Sequence, residues 1–282
     1  MWPFTRKKPA YKIAELDNLA LVGSRDSAGF QFGALVRTKP AAEATVFFHV
    51  DSALSLSDEE IMAWEETIAL DNSVVCSALT ATEKGCLMSV TVARESKQER
   101  QESDEILTRL AATLPSLYDL DGVVATPMLT DEIESYIATA LGTTRPLWPE
   151  LRVEDMEQTL TDWRVNGITS ASFDALDDQE LDRTLRELVL SDGFAGVARW
   201  TRVFRPALEA DDAELGRHSG ILTIAAEASS PQLEMIVDAV MDELSAMQRL
   251  RLRRMFSRQQ TGCLAGLGVG VNAWEFDKVL AI

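Results

Sequence analysis

Long apolar runs are missing from this sequence: none approaches the ~20 residues with which a helix crosses a bilayer. Cysteine is scarce, with 3 residues at unrelated spacings. An odd, scattered set makes neither a disulfide framework nor a zinc pattern, and a reducing compartment is the simplest reading. Histidine is scarcer still, with 2 residues, His49 and His218, whose spacing supports no metal site. A Gly-x-Ser-x-Gly nucleophile elbow is absent, so a hydrolase triad lacks its local signature. Positive charge is in deficit: 27 Lys and Arg against 45 Asp and Glu leave a net charge of -18. That excess disfavours broad contact with nucleic acid or anionic membrane, because phosphate binding needs a positive surface. The opening MWPFTRKKPAYK has no apolar segment of the signal-peptide kind, and a cytoplasmic location is expected.

What is present is a 46% apolar share, enough for a sizeable core, with a 26% charged share that is ordinary for a globular chain. Reading along it, one order of elements occurs twice. ATVFFHV reads as a buried strand. The helix after it starts at Ser57 and Glu60, which stand at capping-box spacing, and Ile61, Trp64 and Ile68 share one of its faces. SVVCSAL and CLMSVTVA are strand-like runs across a turn. Ile106, Leu107, Leu110 and Leu114 mark a second helix, and GVVATPM a closing strand. The second half repeats this with WRVNGITSASF, a helix carrying Leu181, Leu185 and Leu188, and the strands AGVARWTRVF and SGILTIAA. A helix opened by Ser230 and Pro231 follows. The expected fold is α+β: an N-terminal strap (1–43), then two ferredoxin-like β-α-β-β-α-β lobes (44–150 and 151–282).

The fourth strand of the second lobe falls on RLRLRRMFSRQQTGCLAGLGVG. Strand alternation places Leu250 and Leu252 toward the core and Arg249, Arg251 and Arg253 outward, where they pair with acidic neighbours or meet a partner. Aromatics are not interleaved with these arginines, which argues against a nucleic-acid grip. Gly262, Gly266, Gly268 and Gly270 invite a phosphate-loop reading, but Val271 and Asn272 stand where that chemistry needs Lys and Ser or Thr. The glycines are read instead as close packing and a turn.

SGILTIAA, the amphipathic helix after it and LRLRRMFSRQQTGCLAGLGVG together resemble the C-terminal part of actinobacterial transfer proteins related to EccE. That group is associated with type VII secretion and conjugation elements. The same stretch is similar to the amino-terminal, non-motor region of conjugation traffic ATPases. The family pattern is a strand, a helix, Leu-x-Leu-Arg-Arg, an aromatic, a Gln, and later Leu-Pro-x-Gly. Leu250, Leu252, Arg253, Arg254, Phe256, Gln259, Leu267 and Gly270 fall on it, and Gly268 stands where the pattern has Pro. The match covers the second half, and the first by element order alone. The resemblance implies a non-catalytic scaffold subunit without a cofactor, built of paired ferredoxin-like lobes. Its partners would be other subunits of a membrane-associated secretion or conjugation complex, among them a traffic ATPase. Family members usually carry transmembrane helices near the N-terminus, and none is visible here.

Peripheral attachment has its own candidates. Trp2 and Phe4 suit insertion into an interface while Arg6, Lys7 and Lys8 meet anionic head groups, against the alternative of a packed or disordered terminus. Trp148 and Trp274 are candidate anchors for a protein partner. The acidic stretches FDALDDQELD and EADDAEL read as solvated faces or as contacts for a basic partner. Cys76 and Cys86 are expected to face each other across a hairpin as core filler, and Cys263 to fill core as well. Two rival readings stand beside the scaffold: a ligand-binding or enzymatic protein with a pocket between the lobes, and an acidic chaperone or DNA mimic.

Overall fold

Apolar residues dominate the strands, and each of the longer helices carries one apolar stripe, so the chain is committed to burying helices against sheet. In the computed structural model this happens in three layers. The structure describes residues 11–13, 16, 19–37, 42–50, 56–93, 103–120, 123–143, 147–148, 152–175, 178–191, 193–194, 196–207 and 216–269.

The first half runs β1 (Tyr11–Lys12), β2 (Leu19–Arg25), β3 (Gln31–Arg37), β4 (Glu43–Val50), α1 (Asp58–Ala69), β5 (Val74–Thr82) and β6 (Gly85–Ala93). It continues with α2 (Ser103–Thr113), a 3-10 turn (Leu114–Leu117), β7 (Asp119–Leu120), β8 (Val123–Pro127) and α3 (Thr130–Ala140). The second half runs β9 (Arg152–Val153), β10 (Met156–Gln158), β11 (Trp163–Val165), β12 (Ile168–Ala175), α4 (Gln179–Leu190), β13 (Ala198–Pro206) and β14 (Gly216–Ala226). It ends with α5 (Ser230–Asp242), α6 (Ala246–Leu250), β15 (Leu252–Arg254) and α7 (Gln259–Ala265). Local chemistry sets the helix starts. Ser57 N–H donates to Glu60 Oε2 at 2.6 Å while Glu60 N–H donates to Ser57 Oγ at 3.2 Å, the reciprocal cap expected from spacing. Asp178 caps α4 by accepting from Leu181 N–H at 2.7 Å.

The expectation of two separate ferredoxin-like lobes behind a strap is overturned. Among the described residues, both halves belong to one 13-stranded sheet whose main path is β10-β11-β12-β14-β13-β5-β6-β4-β3-β2. Every pairing between its strands is antiparallel. The halves fuse where β13 pairs β5, from Trp200 opposite Ala81 to Phe204 opposite Ser77. Alternation identifies strands but not which edge stays exposed, and β5 is buried along most of its length. The stretch read as a strap holds β2 and β3, which extend the sheet beyond β4.

The two halves match strand for strand. In the first, β4 lies between β6 and β8, with β5 beyond β6; in the second, β12 lies between β14 and β15, with β13 beyond β14. A hairpin precedes each set, β2–β3 and β10–β11, and a helix follows each, α3 and α7. The hairpins differ: the strands of the first have 7 residues each, those of the second 3.

One face of the sheet is covered by α1, α2, α4 and α5, whose Trp64, Leu110, Leu185 and Val237 share one core with Val46, Val90, Trp200 and Leu222. On the other face, Ile133 and Ile137 of α3 and Leu264 beside Leu267 pack with Leu35, Phe47 and Trp163. Small residues let α7 lie close: a Cβ on Gly262 would meet Ser172 Cβ at 2.6 Å. The glycine-rich stretch is therefore helix and turn against the sheet, with Gly268 at φ +69.

Candidate protein-binding edge

Where the halves meet, charge fills the space between α1 and α4. Arg186 Nε lies 3.1 Å from Asp182 Oδ2, and its other nitrogens donate to Asp58 Oδ1 at 2.7 Å and to Leu56 C=O at 2.6 Å. Trp200 Nε1–H donates to Asp182 Oδ1 at 2.7 Å. Arg202 bridges Asp182 at 3.4 Å and Glu65 at 3.2 Å, and His218 Nε2 sits 3.0 Å from Glu65 Oε2. Apart from Arg202 Nε, which has no hydrogen-bond partner among the described residues, these groups pair with one another, which makes the network a clamp between α1, α4, β13 and β14.

The arginines singled out by sequence are distributed differently from expectation. Residues 246–250 form α6, and Leu250 is 75% exposed, so its assignment to the core is corrected. The strand starts only at Leu252, which is buried. Ser245 and Gln248 explain the difference, since their reciprocal cap starts a helical turn. Arg249 pairs Asp242 at 3.4 Å, Arg251 pairs Asp178, and Arg253 pairs Asp174 at 2.7 Å. Arg254 ties Glu234 of α5, at 2.6 Å, to Thr161 C=O at 2.8 Å, and its guanidinium lies 5.5 Å from the Phe173 ring centre. Gln259 is buried, accepting from Ser172 N–H at 2.6 Å and donating to Met255 C=O at 2.9 Å. These positions of the family pattern hold β15 and α7 onto the sheet.

Trp148 is an internal anchor, donating from Nε1 to Leu19 C=O at 2.9 Å. Trp274, Gly270, Trp2, Phe4, Arg6, Lys7 and Lys8 lie outside the described residues. His49 sits near Glu132 at 3.6 Å, on the α3 side, away from His218 in the clamp. No group of metal-binding type occurs among the described residues. Cys76 and Cys86 occupy different clusters, Cys76 with Val203 and Cys86 in the large core, so they do not face each other. The bulge between Val74 and Cys76 shifts the register. Burial pushes the Cys76 thiol up to about 11 and raises that of Cys86, so both stay protonated.

Sequence reasoning missed β2. Among the described residues it forms one end of the sheet, and pairing alternates along it: Gly33, opposite Gly23, turns its N–H away to Met128 C=O at 2.7 Å. Gly23 is thus in a non-hydrogen-bonded pair, and the backbone groups of Leu21, Gly23 and Arg25 point away from β3, to a side where no described strand pairs with them. Trp148 reaching Leu19 from that side agrees. The first hairpin outruns its counterpart at its tip, and a groove opens on each face of the extension. One, of about 350 Å³, runs between Gly23, Arg25, Phe32 and the start of α3 at Leu129, Thr130 and Asp131. The other, of about 500 Å³, lies between Arg25, Asp26 and the α2 residues Asp104, Leu107 and Ala111.

The tip is fixed. Asp26 Oδ1 accepts from Ala28 N–H at 2.9 Å and Phe30 N–H at 2.8 Å, and Tyr118 donates its hydroxyl to Oδ2. Burial works against the Asp26 charge, but the Tyr118 hydroxyl and the turn's amides outweigh it and hold the carboxyl below its usual range. Phe30, 61% exposed, stands edge-on to Tyr118 with ring centres 5.9 Å apart. The signal was present: LALVGSR and QFGALVR flank DSAGF, two apolar runs around a turn-forming Asp, Ser and Gly.

No protein-family model and no curated protein matches the chain. Solved structures to which it is similar include a chitooligosaccharide oxidase, at 10% identity and TM-score 0.34 over 89% of this chain and 55% of that one. Bermuda grass pollen isoallergen BG60 gives 12% and 0.31 over 82% and 52%. The 6-hydroxy-D-nicotine oxidase of Arthrobacter nicotinovorans gives 10% and 0.29 over 92% and 64%. The chain spans less than two thirds of the length of each, and likeness at these scores carries no argument.

Proposed function

We propose that the chain is a non-catalytic scaffold subunit of a membrane-associated secretion or conjugation complex, which holds partner segments by strand addition to β2. The observation that supports this is the edge itself. Leu21, Gly23 and Arg25 offer outward backbone groups on a hairpin with a groove on each face. Strand addition draws affinity from main-chain hydrogen bonds and specificity from pockets for alternate side chains, and this edge supplies both. The resemblance of the second half to secretion and conjugation transfer proteins supplies the setting, a traffic ATPase included. Among the described residues no helix is long and apolar enough to cross a membrane, and attachment would run through such partners.

Affinity capture from detergent-treated membranes, with identification of the captured subunits, tests the proposal. Gly23→Pro deletes an outward N–H, leaving the β2–β3 ladder intact, because Pro is tolerated where a strand faces solvent. Gly23→Ala keeps the N–H, and among the described residues its Cβ would meet only Thr130 Cγ2, at an ordinary 3.6 Å. The wild type and Gly23→Ala are expected to recover a transport-complex membrane subunit or its ATPase, and Gly23→Pro to lose it. Equal recovery by Gly23→Pro, or recovery of no such subunit by the wild type, contradicts the proposal.

A further inference from the structure

We infer that the β2 edge takes an extended peptide strand bearing lysine or arginine side chains. This rests on the strand-addition reading and adds the chemistry of the occupant. A strand laid along Leu21, Gly23 and Arg25 points successive side chains to opposite faces of the sheet. Side chains on the α3 face enter the groove of Gly23, Phe32, Leu129 and Asp131. Those on the α2 face enter the groove of Asp26, Asp104, Leu107 and Ala111.

Both grooves combine apolar wall with carboxylate. Leu107 and Ala111 on one side, and the half-exposed Leu129 on the other, suit the methylene stem of a long side chain. Asp104 and Asp131 are exposed near the ends of those walls, where a cationic head group would sit. Asp26 adds a carboxylate that its turn keeps ionised, and among the described residues Arg25 is the one cation in the lining, at the edge shared by both grooves. At the start of α3 the acidic Asp131 and Glu132 offset the positive end of the helix. The net charge of -18 favours approach of a basic segment from a distance. The hairpin is already ordered by Asp26 and Tyr118, so little conformational freedom is lost from the receiving strand.

The test is fluorescence polarisation with two labelled nine-residue peptides on the full chain. One carries adjacent Lys pairs separated by Thr, so that lysines face both sides of the sheet, and the other has Glu for every Lys. The Lys peptide is expected to bind about tenfold tighter than the Glu peptide, the scale of a few exposed ion pairs. Asp104→Asn with Asp131→Asn should remove most of that preference, and Gly23→Pro should abolish binding of the Lys peptide. Asp238→Asn with Glu243→Asn, exposed on and just after α5, should change nothing. Equal affinity for both peptides, still lost in Gly23→Pro, overturns the basic occupant and leaves strand addition standing. A Lys preference that survives Gly23→Pro, or falls equally with the α5 pair, shows diffuse attraction to an acidic surface and overturns the inference.

Discussion

Arg186 and Arg183 both reach Asp58 from α4, yet their surroundings differ: the Arg186 side chain is 3% exposed and that of Arg183 is 62%. Removing Arg186 leaves Asp182 and Asp58 short of their buried partner. Arg186→Met should therefore lower unfolding free energy by about 3 kcal/mol in urea titration. Arg183→Met at the surface should cost no more than about 1 kcal/mol. A similar small loss from both would show that the clamp between the halves contributes little. Acid sensitivity belongs to the same scale. The Arg183 contact first and the Arg186 contact after it hold the Asp58 carboxyl below its usual range despite burial, and Asp26 is also held low. A carboxylate with a depressed folded pKa contributes stability that is fully present above its unfolded value of about 3.9. That contribution is lost as pH falls through the lower folded value. The thermal midpoint should therefore drop steeply below about pH 4, and Asp26→Asn should shrink the drop. An unchanged acid slope in Asp26→Asn would show that the hairpin tip does not depend on that charge.

Along the elements, the sharpest test lies in α6 and β15. Leu252→Asp buries a carboxylate beside the core and should cost about 3 kcal/mol or prevent folding. Leu250→Asp, on the exposed face of α6, should stay within about 0.5 kcal/mol. A reversed order in thermal melts would mean that the strand begins earlier than Leu252. These neighbours show what the sequence could convey. Strand and helix order was legible because apolar alternation and helical stripes were regular, as in Ile61, Trp64 and Ile68, all buried on α1. RLRLR misled because alternation continued through a stretch where the Ser245–Gln248 cap starts a helical turn. The β2–β3 hairpin was legible in pattern but was read as a strap, since its apolar residues give no register with β4. The outward edge of β2 was not legible, because which backbone groups point outward depends on pairing that side-chain types do not encode.

At the scale of the whole molecule, two matching halves spend one edge each on the other, β5 on β13, and differ at their outer ends. At the second half's end, Gln158 of short β10 is tied down: its side chain donates to Ser257 C=O at 3.2 Å and accepts from Gln260 N–H at 2.9 Å. The first half's end carries the longer hairpin and its two grooves. The described sheet is thus asymmetric at its two ends, and the proposed strand addition falls on β2. Residue-resolved amide hydrogen exchange, on the free chain and on its complex with the captured transport subunit, tests this most directly. In the free chain, Ala20, Val22 and Ser24 should be protected by β3, while Leu21, Gly23 and Arg25 exchange fast. In the complex, the latter three should become protected as well. New protection confined to the faces of α4 or α5, with Leu21, Gly23 and Arg25 still exchanging fast, would contradict strand addition.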